Sequence, residues 1–294
     1  MTASLFGRFG TRWALLAGCL LLPLVITGCS GNYQVQSNFF WDSLLRPSPA
    51  ILNGLALTIG ISIAAQFLGV VLGILAALGK MAKFRPFRVL AGFYVWVFRG
   101  TPLLVQLMFF FYGFATAGLF KWPDIAIGPI NILPEILAGT IIMGVNEGAY
   151  MAEIVRAGIM AVDPGQTEAA KSLGMPYGQT MRRIVLPQAA RVIIPPLGNE
   201  FNNMLKTTSL LVVVSVFELY NTFSTAAGRT YAQFEYFGAC ALWYLLLTTI
   251  WGLVQARIEQ RLAKGTTAST DKTNYSLRAR LLGLRNNSGN QGPV

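Results

Sequence analysis

The chain of 294 residues contains no histidine, and its three cysteines, Cys19, Cys29 and Cys240, are scattered without any CxxC pair. Metal centres and disulfide frameworks are therefore not expected to organise it. Charge is scarce as well: 12% of the residues are charged while 54% are hydrophobic, too few charges to cover a soluble globule of this size. A phosphate-binding GxxxxGK[ST] loop is absent, so the chain carries no ATPase motif of its own. These absences point to a membrane protein. At roughly 20 apolar residues per spanning helix, five or six spans consume most of the length and leave little room for a soluble catalytic domain.

The few charges that exist are lopsided, with a net charge of +11. A basic excess can mark nucleic-acid binding, but on a membrane chain it reflects lysine and arginine retained on the cytoplasmic side, so no nucleic-acid partner is expected. Sorting Lys and Arg by side puts Arg8 and Arg12, the 80–99 region, the 156–191 region and the C-terminal tail inside. Only Arg46, Lys121 and Arg229 then fall outside.

The first apolar segment, Trp13 to Ile26, is short and follows two arginines, which fits either a signal peptide or an uncleaved anchor. The small residues ending in Cys29 also resemble a lipoprotein cleavage box. Residues 1–29 are thus one unit and residues 30–49 an extracytoplasmic linker. Ile51 to Gly79 has no charged residue and predicts a transmembrane helix, with "GVVLG" supplying a small-xxx-small spacing suited to close helix packing. Phe84 to Phe98 suggests an interfacial helix or elbow. Further spans are expected from Pro102 to about Phe120, from Ile136 to about Ile159, in a mixed segment beyond Pro187, and from Phe237 to about Val254. A loop holding Lys121, Trp122 and Pro123 follows the span ending at about Phe120. Residues 257–294 have the composition of a basic disordered tail.

Between the third and fourth spans lies a polar stretch, Gly165 to Gln188. A turn at Pro164-Gly165 leads into good helix formers up to Leu173, Gly174 can close that helix in a left-handed cap, and Pro176 can start a second helix that stops at Pro187. The expectation is two short helices meeting at a corner that protrudes into the cytoplasm.

Glu168-Ala169-Ala170, then Gly174, then Ile184-x-Leu186-Pro187 reproduce the pattern EAA-x3-G-x9-I-x-LP. This resembles the EAA loop of ATP-binding cassette (ABC) importer permeases, the binding-protein-dependent inner membrane components. "FRGTPLLVQL", "AYMAEIVRAGI" and "LPQAARVIIPPLGNEF" extend the resemblance over about residues 50–256 and toward the branch that imports polar amino acids. It departs from that branch at Glu147 in "GVNEGAY" and at "KTTSL", where an acidic residue after the lysine is usual.

The resemblance implies an all-α, multi-pass bundle of five core transmembrane helices, plus the signal or anchor segment, in a bacterial cytoplasmic (inner) membrane. It implies a permease transmembrane domain over 50–256 and a cytoplasmic two-helix coupling loop that docks in a groove of a separate ATPase. The implied partners are cytoplasmic ABC ATPase subunits, a second permease subunit that is identical or related, an extracytoplasmic amino-acid-binding protein, and membrane lipid. No cofactor is expected on this chain, ATP being used by the ATPase.

Ionisable groups near mid-bilayer cost roughly 2.5–3.5 kcal/mol each, so Glu147, Glu153, Glu200 and Lys206 must face a bundle interior or an aqueous cavity. Asn146, Glu147, Tyr150 and Glu153 on one helix, with Asn199, Asn202 and Lys206 on a proline-broken fourth, are candidates for a substrate path. Interhelical hydrogen bonding is the competing account, as is a simple Glu153–Arg156 pair at i,i+3. The rival function is an ion-coupled secondary transporter or channel using these carboxylates.

Overall fold

Within the expected linker, Ser37–Leu45 already forms a short helix, α1. Ser48 then opens the long apolar helix α2 (Pro49–Met81): its hydroxyl accepts the Ile51 amide at 3.4 Å, and Pro49 occupies the first turn, where a missing N–H leaves nothing unpaired. The computed structural model describes residues 35–263, Pro129 excepted. All the elements that follow belong to the unit beginning at Asn38. The signal or anchor segment, Cys29 and residues 264–294 lie outside the described residues.

Helix α5 (Pro134–Met160) packs along α2 more extensively than any other pair. Glycines set the closeness. A Cβ on Gly69 would lie 2.8 Å from Glu147 Cβ, one on Gly144 would lie 3.0 Å from the Ala65 carbonyl, and one on Gly73 would overlap Met151. The "GVVLG" spacing is thus used for helix packing. Because Gly69 meets Gly144 and Glu147, and Gly73 meets Met151, the two helices run parallel. The chain between them must return to its starting side.

The return is made by α3 (Arg85–Gly100) and α4 (Leu103–Thr116), which meet at a bend of 103°. At about 1.5 Å per residue the two limbs are about 24 and 21 Å long, each short of a hydrocarbon core of about 30 Å. The elbow expected at Phe84–Phe98 is present. The segment expected to span from Pro102 to about Phe120 is helical over Leu103–Thr116, as the second limb of the bent pair, with a π-helical turn at Phe109–Gly113. The bend is stitched by Gln106, whose Nε2 donates to Phe98 O at 3.0 Å and to Thr101 Oγ1 at 2.8 Å, and by Asn146, whose Nδ2 donates to Phe98 O at 2.9 Å. "FRGTPLLVQL" is therefore a folding motif.

The loop before α5 holds a small antiparallel hairpin, β1 (Ile125–Ile127) and β2 (Ile130–Ile132), with Ile125 opposite Ile132. Three residues per strand left no readable alternation in the sequence.

Beyond α5 come α6 (Pro164–Ser172), α7 (Tyr177–Thr180) and α8 (Leu186–Thr207). Contrary to expectation, the helix does not stop at Pro187. A π-helical turn, Met181–Val185, joins α7 to α8, its wider register closed by the Leu186 amide on Met181 O. This turn absorbs the misfit of a proline that lacks an N–H. Nor is α8 broken at Pro195-Pro196, where an interior proline ordinarily costs about 3 kcal/mol. It is held from outside by the last helix, α10 (Gln233–Ala263): Trp251 Nε1 donates to Gly198 O at 2.7 Å and Gln255 Nε2 to Pro195 O at 3.2 Å. The interruption falls later, in a 3-10 turn, Thr208–Val214, that ends at Ser215 with φ 64°.

Helix α9 (Leu219–Thr230) starts at Glu218, a fully buried carboxylate that caps the Tyr220 and Asn221 amides at 3.0 and 2.8 Å and accepts the Tyr244 hydroxyl at 2.9 Å. The central core gathers Ile61, Ala65, Leu107, Ile142, Met143 and Leu211. Two helices, α2 and α10, are long and apolar enough to cross a membrane, or up to four segments if each bent pair counts as one. The outer face of α10, with Leu245, Leu246, Ile250 and Leu253, is exposed, as a lipid-facing helix should be.

Candidate functional site

Among the described residues, two places hold the residues that the sequence singles out. The first is a cleft of about 640 Å3 between α5 and α8, with Tyr150, Asn203 and Lys206 of its lining exposed. From α5 it is lined by Met143, Asn146, Glu147 and Tyr150, whose spacing of three and four puts them on one helical face. From α8 and the following turn come Glu200, Asn203, Lys206 and Ser209. Glu147 is only 7% exposed and accepts Gln66 Nε2 at 3.3 Å. Tyr150 presents its ring to Arg99, whose guanidinium carbon lies 5.2 Å from the centroid.

Of the residues selected from sequence, the structure gathers Asn146, Glu147, Tyr150 and Lys206 in this cleft. It places the other three elsewhere. Glu153 is ion-paired with Lys80 of α2 and, at 2.8 Å, with Arg156. Each step of three residues falls about 60° short of a full turn, so two steps carry Glu153 about 120° away from Glu147. Asn199 accepts Gln255 Nε2 at 3.1 Å and faces α10. The Asn202 Oδ1 is buried without a hydrogen-bond partner among the described residues, outside the cleft lining. Glu200 and Asn203 line the cleft and were missed as path residues. Glu200-Asn203-Lys206 at spacing three was as legible a stripe as Asn199-Asn202-Lys206, and sequence alone offers no means of choosing which stripe faces the interior.

The second place is the corner between α6 and α7. Asp163 caps α6 by accepting the Gly165 amide at 2.8 Å, and Gly174 ends it with φ +74°. The Gly174 amide bonds Lys171 O at 2.9 Å and the Met175 amide bonds Ala170 O at 3.0 Å, the paired closure of a Schellman cap. Ala170 is buried, while Glu168, Ala169 and Gly174 are exposed; Ile184 is half-buried, and Leu186 and Pro187 are exposed. Flanking the glycine, Leu173 is 82% and Tyr177 72% exposed. The sequence pattern did not single out these two large apolar side chains on a polar corner.

The match to a family model, "Binding-protein-dependent transport system inner membrane component", covers residues 69–264, enclosing both places. The chain belongs to this family.

This inner membrane component is 41% identical over 270 residues to the arginine transport system permease protein ArgU of Corynebacterium glutamicum, covering 88% of this chain and 83% of that protein. It is 35% identical over 242 residues to the L-cystine transport system permease protein TcyB of Bacillus subtilis, covering 82% and 95%. Among solved structures, "Crystal structure of an amino acid ABC transporter with histidines" is similar with a TM-score of 0.67 and 36% identity, covering 74% of this chain and 97% of that one. The family consists of transport components, and membership implies an ATPase subunit and a substrate-binding protein as partners. It does not favour the ion-coupled transporter or channel.

Proposed function

We propose that this chain is the multi-pass permease subunit of an ATP-driven importer of a polar amino acid, that the α5–α8 cleft is part of its substrate path, and that the α6–α7 corner couples it to the ATPase. The observation that carries the reading is the cleft itself: carboxylate, amide, hydroxyl and ammonium groups converge on one cleft of a bundle whose outer helix is apolar. An amino acid zwitterion needs an anionic partner for its ammonium and a donor for its carboxylate, and Glu147 or Glu200 with Lys206 supplies both. The relatives named for arginine and cystine, and the amino acid transporter among the structures, support the substrate class.

Five passages fit the geometry: α2, the α3–α4 pair, α5, α8 with its 3-10 turn, and α10. Under the charge rule the α2 start is outside and the Lys80–Glu153–Arg156 cluster is at the cytoplasmic end, next to the coupling corner. The chain binds no cofactor of its own; a pair of permease subunits, identical or related, sits on two ATPase subunits that use ATP, and a binding protein delivers substrate from outside.

The test is uptake by the reconstituted complex of permease, ATPase and binding protein in proteoliposomes. Gly174→Asp puts a charge at the corner where docking needs a bare backbone; the variant should insert and assemble in the membrane yet lose coupled uptake. Normal transport by this variant would remove the corner from the mechanism.

A further inference from the structure

We infer that a groove between α1, the first turn of α2 and α9 is a site for a monoanionic phospholipid of the outer leaflet, its phosphate held by Arg46 and Arg229; the leaflet rests on the topology proposed above. The groove, of about 540 Å3, shares no lining residue with the α5–α8 cleft. Its direction follows from α9. A Cβ on Gly54 would lie 2.8 Å from Thr222 Oγ1 and 3.1 Å from Glu218 O, and Thr58 Oγ1 donates to Glu218 Oε2 at 3.3 Å. Helix α9 therefore starts beside the second and third turns of α2 and runs back along it toward the α2 start, where Arg46 and Ser48 lie.

The groove is cationic at its mouth and apolar along its floor. Arg46 and Arg229 are exposed at the mouth together with Asp42, while Ile51, Phe217 and Phe223 line it further along α2 and α9. Among the described residues neither arginine belongs to an ion pair. Two guanidinium groups against one carboxylate leave one positive charge without a partner. Their placement also runs against the trend that keeps lysine and arginine inside: of the outside cations Arg46, Lys121 and Arg229, two line this one groove. Solubility alone gives no reason to bring them together.

A phosphate diester carries one negative charge and presents acceptor oxygens to the guanidinium forks. With an uncharged polyol headgroup it closes the charge balance, and Asp42 can accept a headgroup hydroxyl. An ethanolamine headgroup brings its own cation and leaves the excess in place. The acyl chain has a floor to follow. From Arg229 back to Thr222, α9 covers about 10 Å at about 1.5 Å per residue, and Phe217 lies beyond, so the apolar part runs toward the bilayer core while the arginines stay at headgroup level. Exposed Trp41, Tyr231 and Phe234 at the same end suit that interface. An acidic loop of a soluble partner would also suit two arginines, but it has no use for an apolar floor leading away from water.

The test is native mass spectrometry of the purified permease–ATPase complex, delipidated in detergent and titrated with phosphatidylglycerol or with phosphatidylethanolamine of the same acyl chains. Phosphatidylglycerol should bind about tenfold or more tighter, and Arg46→Gln combined with Arg229→Gln should bring it down to the level of phosphatidylethanolamine. Arg46→Lys combined with Arg229→Lys, which keeps the charge, should stay within about threefold of wild type, and so should Lys121→Gln, an outside cation that does not line the groove. These two controls separate lost charge from lost folding. Equal wild-type affinity for the two lipids, or undiminished phosphatidylglycerol binding by the double glutamine variant, overturns the site. Displacement of the lipid by inorganic phosphate at equal concentration overturns it as well, since the apolar floor would then contribute nothing. Displacement by the substrate-binding protein would make the arginines a protein-docking surface instead. Binding in detergent does not depend on orientation: its failure leaves the permease reading intact, whereas extracellular thiol labelling confined to the opposite end of the bundle overturns the leaflet.

Discussion

Glu147 and Glu153 share one helix and serve different ends. Glu147 is buried against Gln66 and opens on the cleft, whereas Glu153 is about one-fifth exposed and clamps the ends of α2 and α5 through Lys80 and Arg156. Partly solvated pairs of this kind contribute up to about 1 kcal/mol. Glu153→Gln should accordingly lower the melting temperature of the assembled complex by a few degrees, about 2–4 °C per kcal/mol for a domain of this size. The concentration dependence of uptake should stay unchanged, and a shifted dependence would return Glu153 to the substrate path. Glu218 is the more consequential carboxylate for stability, since it holds two backbone amides, the Tyr244 hydroxyl and the Thr58 hydroxyl while fully buried. Removing the carboxylate strands all four donors, so Glu218→Ala should cost about 3 kcal/mol or more and sharply reduce the yield of folded permease, measured as monodisperse protein after detergent extraction. Near-normal yield would show that the network is dispensable.

The coupling corner is an element that local chemistry specifies. An N-cap aspartate, a short run of helix formers and a glycine at positive φ determine where α6 starts and stops, whatever surrounds it. A Cβ on Gly174 would meet nothing within 4 Å, so substitution there is opposed by backbone conformation alone. Asparagine, which tolerates the left-handed region, should leave the corner close to native, while valine should distort it at a cost of about 1–2 kcal/mol. The exposed pair flanking it makes a separate prediction: Leu173→Ala with Tyr177→Ala should weaken co-purification of the ATPase about tenfold or more without lowering membrane insertion, as loss of apolar anchors at an interface does. Undiminished co-purification would place the docking surface elsewhere. By contrast, the fate of Pro187 is not local. The sequence reads as a helix stop, yet a π-helical turn ending at Val185 lets α8 run on, so that one nearly continuous helix connects the corner to Glu200 and Lys206.

At the scale of the molecule, the parallel pairing of α2 and α5 requires the chain between them to return, and under the proposed topology Arg46 and Glu168 lie on opposite sides of the membrane. In a background without native cysteines, Arg46→Cys should react with an impermeant thiol reagent in intact cells and Glu168→Cys only after permeabilisation; the reverse pattern would invert the topology. By itself the sequence determined the membrane class, the apolar α2 helix, the elbow and the shape of the α6–α7 corner, because each depends on transfer free energy or on contacts within a few residues. Only the tertiary structure decided which polar stripe of α8 faces the interior, that Glu147 and Glu153 part company, and that Glu200 joins Glu147 across some fifty positions of chain. Those outcomes depend on helix rotation and register, which are set by the contacts of Gly69, Gly73 and Gly144 between α2 and α5, and of Gly158 with Ile193 and Gly198 with Gln255 around α8, where side-chain periodicity alone leaves several faces equally eligible.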